Sequence, residues 1–362
     1  MLVTLLLFFA YSVTPVTAHS RMALHYNSAL ACAGNNSTKL VLSVVVTTTN
    51  TAPHDQIERL TLQIENIHYF TALYNLAFYI EYIIVEYNYD AKAPALYEIL
   101  QKNFKDSTPL VRIIRVSAEQ HQLIIQKMGL DFDVNFLEFY AKNIGIRRAC
   151  GQFVLPTNSD ISFNDGFWNF ISRKSLRSDA YYRLPRCNVN GALSVLHDLT
   201  VPERLSYLKD HTLDCWWCEK ISGDWKSYME ARADPSETLR AEQWRECIQA
   251  PGDFLLMSKD NFEKFRGYPD VALPYQLDDV PVWQAVGAGL FLIVVPKPAV
   301  ALHVNHLKSY IAKDGRWHHA HEMVNTYKLD EAGKRMMREH KLEVFNAEDW
   351  GLSGTLLEEN IH

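Results

Sequence analysis

The stretch Ala141-Lys142-Asn143-Ile144-Gly145-Ile146-Arg147-Arg148-Ala149-Cys150-Gly151-Gln152-Phe153-Val154-Leu155-Pro156-Thr157-Asn158-Ser159-Asp160 decides the fold. It reads as a helix over 135–150, a break at Gly151, a short apolar strand over 152–156 and a polar tip from Thr157 to Asp160. A short unbroken apolar run bounded in this way suits a strand covered on both faces. A helix that feeds straight into such a strand is the repeating unit of a parallel sheet with right-handed crossovers.

The same rhythm extends upstream. Residues 40–47 form a β-branched strand, and Asp55-Gln56-Ile57-Glu58 has the form of a capping box that opens a helix carrying Leu60, Leu62, Ile64 and Ile67. Strands are expected over 80–86 and 110–116, with a helix over 94–102 between them. Downstream, 197–250 is polar and holds Trp216, Trp217, Trp225 and Trp244, which marks an insertion. A strand over 253–258, a helix over 259–265, a turn at Gly267-Tyr268-Pro269, a helix over 280–286 and a strand over 290–295 follow, then a charged, helical tail at 320–362. Sheets of this kind bind ligands beyond the carboxyl ends of their strands. That rule singles out three polar tips, at 47–50, 86–90 and 157–160.

Composition narrows the function. The 362 residues, 48% hydrophobic and 22% charged, suit one large folded domain with appended segments. A net charge of −6 with no long Lys/Arg run excludes the electrostatic footprint of a nucleic-acid-binding protein. Residues 1–18 carry no charge and end in Val16-Thr17-Ala18, which reads as a signal peptide or as an uncleaved signal-anchor at the membrane. Residues 19–39 form a polar stem with overlapping sequons at Asn35 and Asn36. These features place the chain in the secretory pathway, in the Golgi lumen or secreted. Six cysteines, at 32, 150, 187, 215, 218 and 247, suit an oxidising compartment, with connectivity open. Cys215-Trp216-Trp217-Cys218 lacks the second pair a zinc ribbon needs, so structural cysteines are expected there.

The 141–160 stretch resembles the helix, strand and DxD element of GT-A glycosyltransferases, particularly the family-two enzymes. Ser43-Val44-Val45-Val46-Thr47-Thr48-Thr49-Asn50 is similar to the first strand of that fold, and 252–258 through Arg266-Gly267-Tyr268 looks like the acceptor-side segment of galactosyltransferase-type enzymes. The resemblance implies a GT-A, Rossmann-like α/β fold with a mostly parallel sheet flanked by helices, as a catalytic domain over 40–319 with 197–250 on the acceptor side. It implies transfer of a sugar from a UDP-type nucleotide-sugar donor to a glycan or glycoconjugate acceptor, with inversion, assisted by Mn2+ or Mg2+.

Roles follow from the resemblance residue by residue. Asp160 is the metal carboxylate, a hard oxygen donor suited to such ions. The motif's first acidic position is Asn158 here, which keeps an oxygen but removes a charge. His303 or His306, in His303-Val304-Asn305-His306, completes the metal site. Three apart on a strand, the two face opposite sides. Thr48, Thr49, Asn50, Glu86, Asn88, Asn143 and Arg147 are expected around the nucleotide. Asp279, or its neighbour Asp278, is the expected base that takes the acceptor proton. Arg183, Arg186, Trp216 and Trp217 are expected toward the acceptor. A catalytically inactive relative that binds a glycan or nucleotide is the first rival reading. A nucleotidyltransferase is the second, and the 47–50 tip lacks the Gly-rich phosphate loop that it needs.

Overall fold

The computed structural model describes Cys32 and residues 40–101, 109–129, 135–216, 253–270, 279–305 and 326–361. Strand β1 (Leu42–Thr48) leads into helix α1 (His54–Leu73), then β2 (Ile80–Tyr89), α2 (Leu96–Leu100), β3 (Leu110–Ser117), α3 (Ala118–Lys127) and α4 (Glu138–Arg148). Next come β4 (Phe153–Pro156), β5 (Ile161–Phe163), α5 (Asp165–Ser172), β6 (Ala180–Arg183), β7 (Arg186–Val189), α6 (Leu193–Asp198), α7 (Val201–Asp210) and β8 (Thr212–Trp216). The remainder holds β9 (Leu256–Ser258), α8 (Lys259–Phe265), α9 (Val280–Gly287), β10 (Phe291–Val294), β11 (Ala301–Val304), α10 (Thr326–Glu339), a 3-10 turn (Trp350–Leu352) and β12 (Glu358–Ile361).

The main sheet has the order β10-β6-β9-β4-β1-β2-β3-β12. Strands β10, β6, β4, β1, β2 and β3 run one way, and β9 and β12 run against them. This is the mostly parallel α/β sheet expected from the sequence. All seven residues of β1 are buried because helices cover both faces of the sheet. Val44 and Val46 pack with Leu60, Ile64 and Ile67 of α1, and Val45 packs on the opposite face with Ile144 and Ile146 of α4. Each such aliphatic side chain contributes about 1.5–3 kcal/mol of burial. The sheet accommodates α4 closely because Gly145 faces it: a Cβ there would stand 2.4 Å from Val45 Cγ1.

Four features depart from the sequence reading. The α1 helix begins at His54 behind Pro53, with no side-chain cap, and Asp55 instead pairs with Arg59 at 3.0 Å one turn on. The strand expected over 253–258 is shorter and antiparallel, wedged between β4 and β6. A second sheet, β5-β11-β7-β8, forms beyond the 157–160 tip. The tail contributes α10 but ends as β12, which pairs antiparallel with β3.

Two disulfides join distant segments. Cys32 of the stem is bonded to Cys150 between α4 and β4, and Cys187 is bonded to Cys215 directly across the β7–β8 pair. Cys215 is thus a structural cysteine, while Cys218 and Cys247 lie outside the described residues. Among the described residues no helix is long and apolar enough to cross a membrane. The 1–18 segment lies outside them.

Candidate active site

The tip after β4 is fixed from three sides. Thr157 donates its amide to Val45 O (2.9 Å) and its hydroxyl to Asp253 O (2.7 Å). From α1, the Gln63 amide donates to both Asn158 O (2.8 Å) and Ile161 O (2.7 Å), and it accepts from the Tyr82 hydroxyl at 2.5 Å. The backbone carbonyls on either side of the Ser159–Asp160 pair are therefore held by one buried side chain.

Strand register brings the imidazole to it. In the β5–β11 pair His303 lies opposite Ile161, next in sequence to Asp160, and in the β11–β7 pair it lies opposite Asn188. His303 Nε2 stands 3.3 Å from Asp160 Oδ2, and His303 Nδ1 stands 3.2 Å from Asn188 Oδ1. Both members are partly exposed, Asp160 13% and His303 15%, while Asp160 Oδ1 is itself buried.

A chain of polar contacts continues from the pair. Arg186, two residues before Asn188 and so on the same face of β7, donates to Asn188 Oδ1 (2.9 Å) and pairs closely with Asp253. Asp253 accepts from Asn158 Nδ2 at 2.9 Å. The Asn158 oxygen accepts from Lys142 Nζ (2.7 Å), which also pairs with Glu138 one turn earlier on α4 (2.7 Å). Thus Asn158, Asp160, Arg186 and His303, all singled out in the sequence, meet in one cluster. Glu138, Lys142, Asn188, Asp253 and Gln63 complete it and were missed. Lys142 sits inside the quoted stretch, and its i,i+4 spacing from Glu138 was the available signal.

The tips of β1 and β2 form a neighbouring rim. Asn50 donates to Asp90 O (2.9 Å) and Pro94 O (3.2 Å) and accepts from the Asp90 amide (2.9 Å). Asn88 takes a left-handed backbone conformation (φ 51°), which asparagine tolerates, and donates to Asn135 O at 2.8 Å. Thr49 reaches Asn88 O at 3.5 Å, and the buried Thr48 hydroxyl accepts from Gln56 at 3.4 Å. Glu86 lies beneath this rim, fully buried. One of its oxygens accepts from the Leu96 amide (2.9 Å) and the other from Arg115 (2.6 Å). Burial pushes its carboxyl up, while the Leu96 amide and Arg115 pull it back. Glu86 therefore anchors α2 and β3 beneath the rim, a structural place in contrast to the nucleotide contact expected of it.

Three other expected residues face elsewhere. On α4, Asn143 lies about 100° and Arg147 about 140° around the helix from Lys142. Asn143 holds the Gly267–Tyr268 turn, accepting from Tyr268 N (2.8 Å) and donating to Tyr268 O and Asp270 Oδ1 (2.7 Å each). Arg147 pairs with Glu263 at 3.0 Å and lies 4.8 Å over the Trp350 ring. Arg183 is buried and donates to the Phe254 carbonyl. Asp279 immediately precedes α9 and makes no side-chain cap bond to it. Asp278, His306 and Trp217 lie outside the described residues, as does the Trp216 side chain.

The donor chemistry suits a divalent ion. Two ligands that each approach a hard cation at about 2.1 Å at a right angle lie about 3 Å apart, close to the 3.3 Å between His303 Nε2 and Asp160 Oδ2. Among the described residues no group of three or more His, Cys, Asp or Glu side chains is placed to hold a metal. Ions of this class are also held by one or two carboxylates together with substrate phosphates.

Fold and site together define an open, mostly parallel α/β sheet with a carboxylate–imidazole pair beyond the carboxyl ends of its central strands, where such sheets take ligands. No family model and no curated protein matches the sequence. Among solved structures the chain is similar to TarS 1–349 of S. aureus in complex with UDP-GlcNAc, at 12% identity and a TM-score of 0.47, covering 86% of this chain and 69% of that one. It is also similar to GalNAc-T7 with UDP, GalNAc and Mn2+, at 14% identity and a TM-score of 0.46, covering 88% of this chain and 56% of that one.

Proposed function

We propose that the chain is a glycosyltransferase that moves a sugar from a UDP-type nucleotide-sugar to a hydroxyl of a glycan, with inversion. The observation that carries this reading is the meeting of Asp160 and His303 at 3.3 Å beyond the carboxyl end of β4, beside the polar rim of β1 and β2. Asp160 and His303 would hold Mn2+ or Mg2+. Such an ion, when bound, offsets the charge that develops on a departing diphosphate.

The chain's own groups act around that point. Gln63 and Tyr82 keep the Asp160 turn rigid, and Asn188 orients the imidazole through its Nδ1. Asp279 or Asp278 would serve as the base that takes the acceptor proton, and Arg186, Trp216 and Trp217 would contact the acceptor. The two disulfides favour an oxidising compartment, in keeping with a secretory, Golgi or secreted location. The test is release of UDP from a panel of UDP-sugars with Mn2+, with and without glycan acceptors. Turnover by the wild type and its loss in Asp160→Ala are expected. UDP-sugar binding without turnover by the wild type would replace the reading with that of a non-catalytic binding protein.

A further inference from the structure

We propose that the face at the amino ends of the main sheet, opposite the Asp160 tip, rests on the phospholipid bilayer to which the 1–18 segment tethers the domain. The proposal takes the anchor reading of that segment and does not depend on the transferase chemistry.

Three observations carry it. Exposed apolar side chains gather at that end. Tyr69 and Leu73 stand one turn apart near the end of α1, and Phe78, just before β2, is 75% exposed, more than any other large hydrophobic among the described residues. Phe291 opens β10, which runs parallel to β2, so this exposed ring lies at the same end. Cations connect these groups. Arg173, Lys174 and Arg177 are exposed in the link between α5 and β6; Lys174 Nζ stands 3.0 Å from the centre of the Tyr79 ring, next to Phe78, and Arg177 lies 5.1 Å over Phe291. Asp179 pairs with Arg177, which leaves a net positive strip. Rings interleaved with Lys and Arg suit the bilayer interface, where aromatic groups sit at headgroup level and the cations reach lipid phosphates. The third observation is the tether. The Cys32–Cys150 disulfide fastens the stem shortly before β4, again at the amino end of the sheet. From Ala18 to Cys32 the chain reaches at most about 50 Å. An anchored 1–18 segment therefore holds this face beside the membrane at an effective concentration on the order of millimolar, and a weak contact suffices. The Asp160 tip then points away from the bilayer, toward acceptors in the lumen.

The test places the full chain on phosphatidylcholine vesicles and reads tryptophan depth with lipids brominated on their acyl chains. Over the wild-type signal, Phe78→Trp and Phe291→Trp should each add fluorescence that the brominated lipid quenches. Leu356→Trp should add fluorescence that it does not quench, because Leu356 is exposed just before β12, toward the carboxyl end of β3. Adding Leu73→Glu and Phe78→Glu to Phe291→Trp should remove the quenching at position 291 without lowering the melting temperature, since both side chains are exposed. A chain that stays off the vesicles, or a vesicle-bound chain unquenched at both 78 and 291, would overturn the proposal. So would equal quenching at 78 and 356. A dimer in vesicle-free solution that Phe78→Glu dissociates would also overturn it, making the face an interface between two copies. Failure of UDP-sugar turnover would remove the transferase reading and leave this proposal standing.

Discussion

The Asp160 carboxylate faces the His303 imidazole at 3.3 Å and is 13% exposed, so its removal alters the site more than the core. In Asp160→Ala, transfer should fall by about 10²–10³-fold, the scale of losing one preorganised electrostatic contact, with little change in melting temperature. Full activity in that variant would exclude Asp160 from the chemistry. A second carboxyl, Asp270, is raised to about 6, chiefly by burial and against the Asn143 amide that donates to it. A raised folded-state value favours the protonated form, so its contribution to stability is complete below about pH 4 and is lost as pH rises through about 6. Asp270→Asn should therefore gain on the wild type between pH 4 and pH 7 by up to about 3 kcal/mol, read by denaturant unfolding at both pH values. A difference that does not vary with pH would contradict the buried-carboxyl account. Asp160 and His303 were reached through the resemblance of the 141–160 stretch and of the 303–306 segment to GT-A enzymes, since a polar strand tip and a single histidine say little by themselves. Lys142 was not, since an alternating helix of Lys, Asn and Arg does not reveal which polar residue faces the sheet's ligand end. Asn143 and Arg147 were assigned to the nucleotide by the motif they share with Lys142, and helix geometry turns them about 100° and 140° away from it, onto the Gly267–Tyr268 turn and Trp350.

At the scale of elements, α4 and β12 each depend on one feature. Gly145→Ala would set a methyl 2.4 Å from Val45 Cγ1, forcing α4 off the sheet and displacing Glu138 and Lys142 with it. Overpacking of this kind costs about 1–3 kcal/mol, measurable as a lowered denaturation midpoint, and an unchanged midpoint would mean the helix shifts without strain. The β12 strand is held by paired charges. Arg112, 1% exposed, bridges Glu81 (2.9 Å) and Glu359 (2.6 Å), and Arg115 bridges Glu86 (2.6 Å) and Glu358 (2.8 Å). Arg112→Met would leave two buried carboxylates without that cation and should cost about 3–5 kcal/mol. A loss under about 1 kcal/mol would show that the pairs contribute little. The parallel strands and most helices were readable from apolar periodicity, whereas β12 was not: Glu358-Glu359-Asn360-Ile361 has almost no apolar pattern, and long-range ion pairs supply its hold on β3. The second sheet was hidden for a similar reason, since β5 and β7 are three and four residues long and are defined by their partners.

For the whole molecule, the disulfides tie the stem to the sheet and the second sheet to itself. The Cys32–Cys150 link spans 118 residues and the Cys187–Cys215 link 28. Chain-entropy reasoning gives about 5 and about 3.5 kcal/mol respectively as upper values, so Cys32→Ser should lower unfolding stability more than Cys215→Ser. The reverse order would show that the shorter link relieves more than loop entropy, as expected if it also fixes Arg186 and Asn188. The central claim is that residues from two distant parts of the chain converge on one ion beside a nucleotide. A crystal grown with UDP and Mn2+, with diffraction recorded to locate manganese by its anomalous signal, addresses it most directly. The expected result is a single strong peak bridging the Asp160 carboxylate, His303 Nε2 and the diphosphate. A peak elsewhere on the molecule, or UDP bound on another face, would contradict it.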